Sequence, residues 1–113
     1  MRKKLETHES LVVASLKDPE LAASYLNEHW HYRGPKRVEL LMKAIHRVAL
    51  ARGITKVSKE SGISRRALYK IFSEEGNPTA ETLLSLLDTL GVGIRFDASR
   101  KKARPKREEE DAA

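Results

Sequence analysis

The chain has 113 residues, room for one modest core, which excludes an active site built between two lobes. Its 22 Lys and Arg against 16 Asp and Glu give a formal charge of +6, which favours a polyanionic partner, nucleic acid first. The absence of cysteine excludes disulfides, thiolate metal sites and cysteine nucleophiles, and suits a reducing compartment.

The N-terminus, MRKKLETHESLVVASLKD, starts basic. Its apolar run from Leu11 to Leu16 is too short, and too soon broken by charge, for a signal peptide or membrane span, so a cytoplasmic protein without membrane attachment is expected. Asp18-Pro19-Glu20 supplies a cap, a proline at the first helical position and an acid in the first turn, opening a helix through DPELAASYLNEHW. Leu21, Ala22, Tyr25, Leu26 and Trp30 share its apolar face. HYRGPK breaks that helix, and Pro35 starts another, PKRVELLMKAIHRVALARG, which runs to a cap at Gly53. Val38, Leu41, Met42, Ile45, Val48 and Ala49 recur on it at helical spacing and predict one buried side.

Two short helices follow, Thr55 to Ser61 and Ser64 to about Ser73, separated only by Gly62-Ile63. After GNP, Thr79 caps a last helix carrying Leu83, Leu84, Leu86, Leu87 and Leu90, and Gly91 stops it. Val92 to Phe96 alternates apolar and other residues and reads as one short C-terminal strand. From Asp97 a basic block is followed by an acidic one with no large apolar side chain, and disorder is expected. Arg100 to Arg107 in that block would either bind phosphates non-specifically or solubilise the end of the chain.

The second short helix is divided. Ala67, Leu68, Ile71 and Phe72 occupy one arc of its wheel, and Arg65, Arg66, Tyr69, Lys70 and Ser73 the other. With Ser64 as its cap, Arg65 and Arg66 fall in the first turn, where the helix dipole disfavours cations, and an anion would relieve the conflict. A helix-turn-helix asks for this pattern. Its second helix lies in the major groove with its first residues at base edges, where arginine forks onto guanine, while lysine, serine and tyrosine hold phosphates. The preceding helix needs a small residue at the close approach and a glycine at the bend, which Ser58 and Gly62 supply, with Ile54 and Val57 as core anchors. Arg52, Lys56, Lys59, Arg65, Arg66 and Lys70 then face a single acid, Glu60, within residues 52–70. The DNA-binding candidates are Lys56, Lys59, Ser64, Arg65, Arg66, Tyr69 and Lys70. The competing view of the same residues is a solvated basic face on an ordinary bundle.

Ala51 to Phe96, above all GISRRALYK followed by EGNPT and a leucine-rich helix ending in glycine, closely resembles the addiction-module antidote proteins. These are antitoxins of the HigA kind, whose helix-turn-helix is of the phage-repressor-like class. The similarity extends back to about Asp18. The resemblance implies a DNA-binding antitoxin that neutralises a RelE-like toxin encoded beside it and represses the shared operon. The expected fold is all-α: a small bundle with an N-terminal helical segment at 1–33, a helix-turn-helix domain at 34–96 and a charged tail at 97–113. One reading helix spans few base pairs, so a symmetric dimer on two half-sites is expected, meeting through Leu84, Leu87, Val92, Ile94 and Phe96.

His29 and His31, at i and i+2, point apart on a helix with no other ligand nearby, so no metal or cofactor is expected; Trp30 reads as helix-end packing and His46 as surface. Glu74, Glu75 and Glu81 precede or open a helix, and no enzyme is expected. The helix from Asp18 either folds back as core or docks into a toxin groove. Two alternatives remain in other directions: a stand-alone repressor without a toxin, and a basic module that binds RNA or an acidic protein.

Overall fold

Residues 8–99 are described by a computed structural model, and among them the chain forms six helices and no strand. They are α1 (His8–Ser15), α2 (Pro19–His31), α3 (Arg37–Arg52), α4 (Ile54–Ser61), α5 (Arg65–Ile71) and α6 (Ala80–Thr89). Three of them open on side-chain caps. The Asp18 carboxylate accepts the Glu20 N–H at 2.9 Å, the Ser64 hydroxyl accepts that of Ala67 at 3.0 Å, and Thr79 accepts that of Thr82 at 3.1 Å, each satisfying a donor the helix itself leaves free. Gly53, at φ 103°, is all that separates α3 from α4, and its N–H closes α3 on the Ala49 and Leu50 carbonyls.

One core runs the length of the fold. Leu16, Ala22 and Leu26 from the N-terminal third bury against Ala44, Ile45, Val48 and Ala49 of α3, which continue into Val57, Leu68, Leu86, Leu87 and Leu90. Helix α3 is the axis: α1, α2 and α4 all pack on it, and α4 in turn holds α5 and α6. Arg47 on α3 clasps Glu9 of α1 through two bonds of 2.9 and 3.1 Å and donates to the Tyr25 hydroxyl of α2 at 2.9 Å. That bidentate geometry is the strong form of a surface ion pair.

Several expectations are corrected. Helix α1 is additional to the expected elements; its residues show no clear helical periodicity, and what holds it is tertiary, the Glu9 clasp with half-buried Val12 and Val13 and buried Leu16. Pro35 does not begin α3. Lys36 takes a left-handed φ of 58° instead and becomes the residue before the helix, while the Tyr32 hydroxyl holds the break by donating to the Pro35 carbonyl at 3.0 Å. Val38 is 67% exposed, since the covered side of α3 begins at Leu41 and Met42. The strand expected at Val92–Phe96 does not form, because a strand exists only by pairing and no described residues pair with it. Of the expected α2 face, Ala22 and Leu26 enter the core and Tyr25 is half-buried, but Leu21 and Trp30 stand at the surface. The Arg37 guanidinium lies 4.7 Å from the Trp30 ring centre and donates to the Trp30 carbonyl at 2.7 Å. The charged block beyond residue 99, and the disorder expected of it, lies outside the described residues; residues 97–99 have no regular secondary structure.

Candidate nucleic-acid interface

Helices α4 and α5 are each too short to persist alone, so their positions depend on what they bury. Val57 and Leu68 are fully buried, with Ile54, Ile63 and Phe72 packed beside them. The turn between the helices is fixed by two serines and a glycine. Gly62 sits at φ 80°, a conformation that costs an ordinary residue roughly 1–2 kcal/mol, and its N–H bonds the Ser58 carbonyl at 3.0 Å. The Ser58 hydroxyl crosses the turn to the Ile63 carbonyl at 2.6 Å, and the Ser61 hydroxyl accepts the Ile63 N–H at 3.1 Å. Ser58 therefore does more than fill a close approach: its hydroxyl ties the incoming helix to the chain that leads into the next.

With one side of the pair in the core, all seven candidates are exposed: Lys56 and Lys59 on α4, Ser64 at the cap, and Arg65, Arg66, Tyr69 and Lys70 on α5. None of the five cations among them makes an ion pair with another described residue. Arg65 donates to the Tyr69 hydroxyl one turn later at 3.3 Å, with its guanidinium 6.0 Å from that ring's centre. Ser73, on the same arc, turns its hydroxyl back onto the Lys70 carbonyl at 2.7 Å.

Arg52 does not belong to this set. Its terminal nitrogens donate to the carbonyls of Leu90 at 2.8 Å and Thr89 at 3.4 Å, stitching the end of α3 to the end of α6. A cation there also complements the negative end of the α6 dipole. His46 is likewise not a free surface residue. It is half-buried and stacks on Phe72 at the end of α5, with ring centres 4.4 Å apart and planes 9° from parallel. Burial, with Arg47 next to it, pushes its pKa below the ordinary 6.5. His29 and His31 each donate to a carbonyl one turn back, those of Tyr25 and Asn27, at 2.9 and 2.8 Å. Among the described residues no group of histidines and acids is placed to hold a metal. Of the five residues expected at a dimer contact, Leu84, Ile94 and Phe96 are exposed, Val92 is half-buried, and Leu87 is buried in the chain's own core, where α6 needs it.

The family model described as "Probable addiction module antidote protein" matches residues 6–98, the whole of this architecture. The chain belongs to that family. A curated relative from Haemophilus influenzae, an uncharacterized protein, is 33% identical over 89 residues, 79% of this chain and 89% of the relative. No solved structure matches. An addiction-module antidote acts by neutralising or regulating and is not an enzyme, and the family implies a toxin as partner. No helix of this antidote, among the described residues, is long and apolar enough to cross a membrane.

Proposed function

We propose that this antidote is a cytoplasmic antitoxin that neutralises a RelE-like toxin and represses its own operon, binding operator DNA as a symmetric dimer. Helices α4 and α5 serve as a helix-turn-helix of the phage-repressor-like class found in HigA antitoxins. The observation that carries the reading is the placement of Lys56, Lys59, Arg65, Arg66, Tyr69 and Lys70 on the open side of two helices locked at Gly62, while Val57 and Leu68 hold the other side in the core. Helix α5 enters the major groove with Arg65 and Arg66 foremost; α4 crosses the backbone with its lysines on phosphates. The uncompensated charge at the start of α5 is then met by the DNA.

Two measurements test this. Gel shifts with the DNA upstream of its own gene should show a complex that survives excess random competitor. Co-expression with the neighbouring small reading frame should restore growth that the neighbour alone arrests. Equal affinity for operator and random DNA would remove the repressor role, and the absence of a toxic neighbour would leave a stand-alone repressor.

A further inference from the structure

Helices α2, α3 and α6 and the segment 92–99 enclose an open groove of about 1160 Å³. Its floor is apolar, with Leu26, Leu41, Ile45, Leu83 and Leu87. Trp30 and Phe96 also line it, and Phe96 is 90% exposed, the most exposed large apolar side chain described. A phenylalanine left in water forgoes the stabilisation that burying its ring would bring. Groove and protruding side chain thus lie on one surface, which is the condition for a self-complementary interface about a two-fold axis.

We infer that the groove receives Phe96 from a second copy of this chain, each copy filling the other. The inference rests on the proposed operator reading for its dimer, and it adds where and how the two copies meet. Charge favours the same occupant. Arg33 and Arg95 line the groove, and Asp97 directly follows Phe96. Within one chain Arg95 and Asp97 approach only to 3.9 Å, with side chains 87% and 69% exposed, a loose contact of little energy. When Phe96 enters the other copy's groove it carries Asp97 to the arginines there, and the two-fold axis repeats the exchange. Exposed Ile94 lines the groove as well. None of the groove's lining residues belongs to α4 or α5, so the pairing leaves the DNA-facing residues uncovered.

Sedimentation of the full chain tests this. The wild-type protein should sediment as a dimer, and Phe96→Asp should weaken the dimer at least about tenfold. Its helical circular dichroism should stay unchanged, because Phe96 buries almost none of its surface among the described residues. Arg95→Asp and Asp97→Arg should each weaken the dimer severalfold, and an equimolar mixture of the two should recover it, since each variant then presents the charge the other lacks. A wild-type monomer at tens of micromolar, a dimer indifferent to Phe96→Asp, or no recovery in the mixture would each overturn the exchange. A wild-type monomer whose capture of the toxin is lost in Phe96→Asp would give the groove to the toxin instead. Gel shifts on a single half-site separate the two ideas: a monomer that still binds it leaves the DNA reading standing while the dimer contact falls.

Discussion

Arg52 and Arg65 look alike in the sequence and do different work. Arg52 reaches the Thr89 and Leu90 carbonyls at the end of α6, whereas Arg65, among the described residues, donates only to Tyr69 and is otherwise exposed. Replacing Arg52 with Met should therefore cost about 1–3 kcal/mol of stability, the worth of charged hydrogen bonds to a helix end, and should leave the salt dependence of DNA binding unchanged. Thermal melts and a salt titration of the same variant check both halves. Arg65→Ala should melt like the wild type, lose about 1–3 kcal/mol on operator DNA and relax preference at one base position. Equal loss on operator and random DNA would put its guanidinium on a phosphate. The sequence placed the two arginines in one basic cluster because spacing along a chain reports which side chains share a face. It does not report which of them a carbonyl 37 residues away has already claimed.

At the scale of elements, helices that announced themselves did so through local chemistry: Asp18, Ser64 and Thr79 at their starts, Gly53 and Gly62 at their ends. Those signals are carried by one or two residues and survive without knowledge of the fold. Helix α1 and the unpaired segment at Val92–Phe96 are not legible in this way, since each is decided by what lies beside it. Helix α5 depends on such a neighbour as well. His46 on α3 stacks on Phe72, and burial, with Arg47 beside it, pushes the imidazole pKa down. Because its pKa in the fold lies below the unfolded value of 6.5, the unfolded chain binds more protons than the native one between those two values. The contribution is complete above pH 6.5 and is lost as pH falls through the lower, folded pKa. Melting temperature should accordingly fall on acidification below pH 6.5, and His46→Gln should flatten that fall. Parallel pH profiles for the two proteins would acquit His46.

For the molecule as a whole, the formal charge of +6 matters less than its placement, because Lys56, Lys59 and Lys70 stand together without acidic partners among the described residues. If they neutralise phosphates, affinity for DNA should drop steeply with salt. Each lysine removed should then flatten the log–log slope by roughly one unit per monomer, measured by anisotropy across a salt series. Three of the main helix contacts, α2 on α3, α3 on α4 and α4 on α5, join elements adjacent along the chain. Topologies of that kind reach the native state in roughly microseconds to milliseconds, and with no cysteine there is no oxidation to wait for. A ribosome adding about 5–20 residues per second needs roughly 6–23 s for 113 residues, so the main phase of stopped-flow refolding should be thousands of times faster than translation. For an antidote the delay between message and protection is thus set by the ribosome and not by the chain: protection begins almost as soon as synthesis ends, and it can lapse only as fast as the folded protein is removed.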